Sequence, residues 1–241
     1  MTKRFLFAAA LLFMMVMPLA AYSDNFYETS TDPEYVALIS AIKNGENEET
    51  VLDAYDKYIS SGISDIERCR VEYHMARYYK DKGNKNKGNE HVEMMKSLYS
   101  SLPSDISEFE RLVCRAEITS ADYYVNRKLS VGMENSNLAK ELYSKYPDDV
   151  FSILNESWRL IFTPAIAGGS TKKAIGYLDN LMKNKEKLSV IDTYSVYCAY
   201  AMAYNSRGNY KKADEYFRKA FEYFDAEADV VETYKENLKK L

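Results

Sequence analysis

The chain has two histidines, His74 and His91. His91 has Glu90 beside it and Glu93 two residues on, so an acid–base or metal cluster around His74, His91 and Glu93 is the first chemistry to weigh. A His-Glu-x-x-His spacing would place two imidazoles and a base on one helical face, and it is absent, as is any cysteine cluster that could complete a metal site. Both histidines therefore read as surface or interface residues. Gly168-Gly169-Ser170 followed by Lys172 invites a phosphate-loop reading. That loop needs Gly-x-x-x-x-Gly-Lys-Ser/Thr behind a strand, and neither requirement is met. The glycines more simply reverse the chain between two helices, with Ser170 or Thr171 capping the second. Cys69, Cys114 and Cys198 are too few and too scattered for a disulfide framework. They read as small apolar residues in helix interfaces, and whether Cys69 and Cys114 ever join is left open. Asn155-Glu156-Ser157 is a glycosylation acceptor by pattern alone. No nucleophile elbow or Cys/His pair is found. The chain is read as a non-enzyme with no cofactor and no metal.

Composition narrows what can position these residues. Of 241 residues, 46% are hydrophobic and 28% charged, with only 9 Gly and 5 Pro, which favours a folded, helix-rich chain over a disordered or turn-rich one. The formal net charge of −4 comes without a basic cluster, a poor match to nucleic acid. Lys3 and Arg4 precede an apolar run from Phe5 to Leu19, and Ala21-Tyr22-Ser23 offers small residues where a signal peptidase reads. Residues 1–23 are thus expected to be a secretory signal peptide cut after Ser23, because the run falls short of the ~20 apolar residues needed to span a bilayer. A short flexible segment is expected over 24–32 and one helical domain over 33–241. The expected location is periplasmic or secreted, with no membrane span after cleavage.

The internal organisation is repetitive. Tyr194, Tyr197, Ala201 and Tyr204, then Tyr210, Ala213, Phe217, Ala220 and Phe224, recur in steps of three and four on either side of Arg207-Gly208-Asn209. That spacing predicts two amphipathic helices joined by a tight turn at Gly208. Ala76, Tyr79 and Gly83, with Gly88, Val92 and Met95, outline a second pair opening at Cys69, whose turn over 83–89 is expected to fray. A third runs from about Arg115 to Pro147, and a fourth starts near Asp149. Pro33 to Lys43 and Glu48 to Ser60 make a further pair, and Val230 to Leu241 a polar capping helix. Ten or eleven helices in one domain are expected.

These residues resemble a known family. Ala201, Tyr204, Gly208, Tyr210, Ala213, Phe217 and Ala220 match the tetratricopeptide repeat in the spacing of its roughly 34-residue unit. The clearest repeat is 194–227. The resemblance implies an all-α, right-handed superhelical array with an exported, non-catalytic, partner-binding role. Pro164-x-x-x-Gly168-Gly169-x-x-x-x-Ala174 is also similar to a loop in the periplasmic tetratricopeptide component associated with TRAP-type solute transporters. Ser157 and Leu160 depart from that component, which often has glycine and an aromatic residue there.

In the repeat family the first helix of each unit lines a concave groove. Carried over, the groove positions are Arg70, Tyr73, Arg77, Lys80 and Asp81; then Glu117, Ser120, Tyr124, Arg127 and Lys128; then Phe151, Leu154, Trp158, Ile161 and Phe162; and last Ser195, Cys198, Met202, Asn205 and Ser206. The candidate partner-binding residues are Arg70, Tyr73, Arg77, Tyr124, Arg127, Lys128, Trp158, Met202 and Asn205. Aromatic and Arg side chains most often dominate binding energy, and Arg77, Arg127 and Lys128 suit a carboxylate. The alternative is that Tyr73, Tyr124 and Trp158 only pack between helices. The expected function is binding of a protein or peptide on the concave face. Pairing with a solute-binding protein of a transporter, signalled by an apolar cavity near Trp158 and Gly168-Gly169, is the second reading, and an unrecognised helical enzyme the third.

Overall fold

The computed structural model describes residues 32–241, so the expected signal peptide and nearly all of segment 24–32 lie outside it. Eleven α-helices occupy the described residues, with no strand among them: α1 Pro33–Lys43, α2 Glu48–Ser60, α3 Asp65–Asp81, α4 Lys85–Ser101, α5 Glu108–Asn126, α6 Leu129–Lys145, α7 Val150–Phe162, α8 Thr171–Met182, α9 Val190–Ser206, α10 Tyr210–Phe221 and α11 Ala228–Leu238. The all-α expectation holds. None of these helices is long and apolar enough to cross a membrane.

Most helices start where a short polar side chain satisfies orphan N–H groups of the first turn. Asp32 accepts from Glu34 and Tyr35, and Ser64, Ser107 and Ser189 form reciprocal capping boxes with Glu67, Glu110 and Asp192. Ser170, not Thr171, caps α8. Gly208 ends the turn after α9 at φ +73°.

Successive helices pack as neighbours in pairs: α1 with α2, α3 with α4, α5 with α6, α7 with α8, α9 with α10. The first members also touch, α1 with α3, α3 with α5, and α7 with α9. The turn expected to fray is instead ordered helix from Lys85 onward, because Gly88 lets α4 lie against α3; a Cβ there would come 3.1 Å from the Ala76 carbonyl. The third unit also begins earlier than expected, at Glu108 and not near Arg115, its start fixed by the Ser107–Glu110 box.

The paired helices are unequal. α3 is buried at every residue from Cys69 to Tyr79, and α9 at every residue from Ile191 to Ala203. A helix enclosed on all sides needs internal partners for its charges. The chain beyond α10 supplies some of them: it returns to the end of α1, where the Ala226 N–H donates to the Lys43 carbonyl at 3.2 Å. The last connector thus closes on the first helix.

Candidate functional site

The site forms where that connector meets α1 and the enclosed helices α3 and α9. On α3, Tyr73 and Arg77 are one turn apart and share a face. Lys43 ends α1, Tyr194 sits on α9, and Glu227 is the N-cap residue of α11. The Arg77 guanidinium donates to Glu227 Oε1 at 2.9 Å, while Lys43 Nζ and the Tyr194 hydroxyl donate to Oε2 at 2.9 and 2.8 Å. Arg77 Nη1 also donates to the Tyr73 hydroxyl at 2.9 Å. Lys43 Nζ lies 4.8 Å from the centre of the Tyr194 ring, so the ring face stabilises the cation from a second side.

The electrostatics follow from this geometry. Burial pushes the Glu227 carboxyl up, but the Lys43 and Arg77 charges and the Lys43 and Tyr194 hydrogen bonds more than reverse this, holding it at about 2. The side chains of Lys43 and Arg77 are each 8% exposed and that of Glu227 12%, so the charges meet largely out of water. Tyr124, on α5, lies beneath two guanidinium groups, Arg77 at 4.5 Å and Arg127 at 5.0 Å from its ring centre. Its hydroxyl donates to Asp229 at 2.8 Å and lies against Asp81. Loss of hydration raises the Asp81 carboxyl to about 6, against the pull of Arg77. Beside Glu227 a cleft of about 140 Å³ opens between Lys43, Gly45, His74, Arg77, Lys82 and Ala226.

Of the residues expected to bind a partner, the structure brings Tyr73, Arg77, Tyr124 and Arg127 together. Arg70 lies apart: it is fully buried and donates to Glu117 at 2.9 Å. Lys128 is exposed at the start of α6. Trp158 is buried and stacked on Phe162, with ring centres 5.5 Å apart. Met202 is buried in α9, and Asn205 is half-buried near its end. Sequence reasoning missed Lys43, Tyr194, Glu227 and Asp229. Tyr194 carries a signal, the helical periodicity, but periodicity alone does not separate a packing residue from a hydrogen-bond donor. Glu227 lies in a connector with no periodicity.

Other candidate chemistry resolves differently. His74 contacts the Tyr35 hydroxyl at 3.2 Å, and His91 contacts Glu72, not Glu93, at 2.5 Å. Glu72 also accepts from Tyr55 at 2.7 Å, while Glu93 pairs with Lys96. The described residues contain no group of three or more His, Cys, Asp or Glu arranged to hold a metal. All three cysteines are free and buried, and Cys69 shares a thiol hydrogen bond with Cys114 that, with burial, raises its pKa. Asn155 is buried and donates to the Phe151 carbonyl at 2.8 Å, so the glycosylation pattern is enclosed in the fold. The clefts among the described residues include one of about 590 Å³ beside Tyr143 and Tyr177 and a second of about 220 Å³ between Met133 and the Thr163–Ala167 turn. The second is apolar and lies against the turn that leads into Gly168, at Thr163, Pro164 and Ala167, while Trp158 does not line it.

Comparison with known proteins adds no family: no protein-family profile matches the chain, nor does any curated protein or solved structure.

Proposed function

We propose that this chain is a non-catalytic binding protein of tetratricopeptide-like construction, exported by its N-terminal segment, whose inner helices receive an extended stretch of a protein or peptide partner. The all-α pairing supports the repeat reading, and the matches at Ala201, Tyr204, Gly208, Tyr210, Ala213, Phe217 and Ala220 supply its sequence side. One observation carries the binding role: the inner helices already hold a non-helical stretch of polypeptide, with Arg77, Lys43 and Tyr194 all donating to one carboxylate. Donors converging from three separate helices make a receptor for a peptide side chain, and charge-assisted hydrogen bonds are the strong ones.

The test is selection of a random peptide library on the immobilised chain, with Tyr124→Phe/Arg127→Ala as counter-screen. A consensus retained by the parent chain and lost on the variant is the expected result. No enrichment on either the parent chain or its Glu227→Gln variant, or enrichment indifferent to these two residues, would remove the inner face as the binding surface. Binding of small solutes in place of peptides would favour the transporter-accessory reading.

A further inference from the structure

The carboxylate receptor just described is occupied by the chain itself, and the manner of occupation resembles a bound ligand more than a packed element. Glu227 belongs to the connector between α10 and α11, not to a wall helix. Asp225, Ala226 and Ala228 are exposed, while the segment is anchored by side chains on either side of them. Phe224 sets its ring edge-on to Tyr194, with centres 5.2 Å apart. Three residues on, Glu227 fills the receptor, and two further on, Asp229 accepts from Tyr124 and lies 3.9 Å from Arg77. One backbone hydrogen bond, from Ala226 to Lys43, accompanies these anchors. Gly45 makes the approach possible, since a Cβ there would come 3.0 Å from the Ala226 side chain.

We infer that this receptor accepts acidic peptides of the pattern Phe-x-x-Glu-x-Asp from a partner protein, and that residues 224–229 are their built-in competitor. The inference rests on the peptide-binding reading above and adds the ligand's chemistry and its regulation. An aromatic anchor is received at Tyr194, a first carboxylate at Lys43 and Arg77, and a second at Tyr124. The cleft beside Glu227 exposes part of this surface to solvent, which gives an incoming carboxylate a place to start. Because the internal segment is tethered, it competes at the high effective concentration of an intramolecular ligand. A free peptide therefore binds the parent chain weakly until the segment is released.

The experiment uses a fluorescein-labelled peptide with the sequence of residues 222–231, titrated into the full chain and into its Glu227→Gln variant while anisotropy is read. The variant is expected to bind on the order of a hundredfold more tightly than the parent, the advantage lost by a tethered competitor. Peptides with Ala for Phe224 or Gln for Glu227, and the variant further changed by Lys43→Met, are expected to bind at least roughly tenfold more weakly, one lost anchor each. Should Glu227→Gln fail to fold alone, far-ultraviolet circular dichroism with peptide replaces anisotropy, and peptide-induced folding supports the inference. A folded variant that ignores the peptide overturns it, as do an unfolded one that peptide does not rescue, equal binding of the Gln peptide, or equal competition by succinate. Library selection on the same variant separates the two ideas: an inner-face consensus lacking acidic residues would leave peptide binding standing and sink this inference alone.

Discussion

Glu227→Gln is also the sharpest probe of how the fold closes. The substitution keeps size and shape but leaves Lys43 and Arg77 largely buried with no charge on their shared partner. The carboxyl's fall from its ordinary 4.5 to about 2 in the folded chain corresponds to about 3 kcal/mol. Removing one member of a buried ion pair costs a similar amount, about 3–5 kcal/mol. In a chain of this length 1 kcal/mol moves Tm by about 2–4 °C, so a loss of roughly 10 °C is expected at pH 7. The pH dependence has a definite sign. The folded pKa lies below the unfolded one, so the stabilisation is fully present above pH 4.5 and is lost as pH falls towards 2. Asp81, raised to about 6, acts in the opposite sense: its cost lessens as pH falls from 7 to 5. It is present in both proteins and mostly cancels in the difference. Urea denaturation of parent and variant at a series of pH values measures that difference directly. A gap below about 1 kcal/mol at pH 7, the range of exposed ion pairs, would refute the reasoning. So would a gap that does not shrink between pH 4.5 and 2.

Other consequences are equally direct. Arg70→Ala strands the Glu117 carboxylate in the core and is expected to cost about 3–5 kcal/mol, whereas Arg68→Ala, removing a partly exposed partner of Glu72, costs about 1 or less; parallel denaturation curves compare them. Gly169→Ala places a Cβ 1.7 Å from the Thr163 carbonyl, so the turn between α7 and α8 must rebuild. A loss of roughly 2 kcal/mol or more is expected, together with faster proteolysis at that turn. Cys69, Cys114 and Cys198 are buried; the hydrogen bond with Cys114 and burial raise the Cys69 thiol, and burial raises that of Cys198. Alkylation followed by mass spectrometry should therefore leave all three unmodified in the folded chain and label all three in denaturant. Fast native labelling of any one would show that its helix interface opens.

Local structure was largely legible in the sequence. Pro33–Lys43 and Glu48–Ser60 end where the pattern placed them, because a polar cap and a break in periodicity coincide at each boundary. The start of α5 was not, since Ser107 and Glu110 lie ahead of the first match to a repeat and only a capping box marks them. Gly88 shows the opposite failure: composition around it suggested a loose turn, but the missing side chain serves a helix contact that composition does not report. The residues of the candidate site were legible in part. Tyr73, Arg77 and Tyr124 are positions that the repeat resemblance implies, and its register assigns them a face but not their partners.

The partners come from contacts that no window along the chain can contain. Lys43 and Glu227 are 184 residues apart, and Arg77 and Glu227 are 150 apart. Nothing around Glu227 distinguishes it from the solvated acidic residues nearby, Glu222, Asp225 and Glu232. Its importance is created by the path of the described helices, which brings the end of α1 against the connector that leads into α11. A contact of that range contributes nothing until most of the chain is ordered, because the loop it closes must first lose its conformational freedom. Glu227→Gln is thus expected to speed unfolding more than it slows folding, since the lost contact forms late. Chevron kinetics on the two proteins decide the matter. A variant that folded several times more slowly, with an unchanged unfolding limb, would place the Lys43–Arg77–Glu227 contact at the start of folding and not at its close.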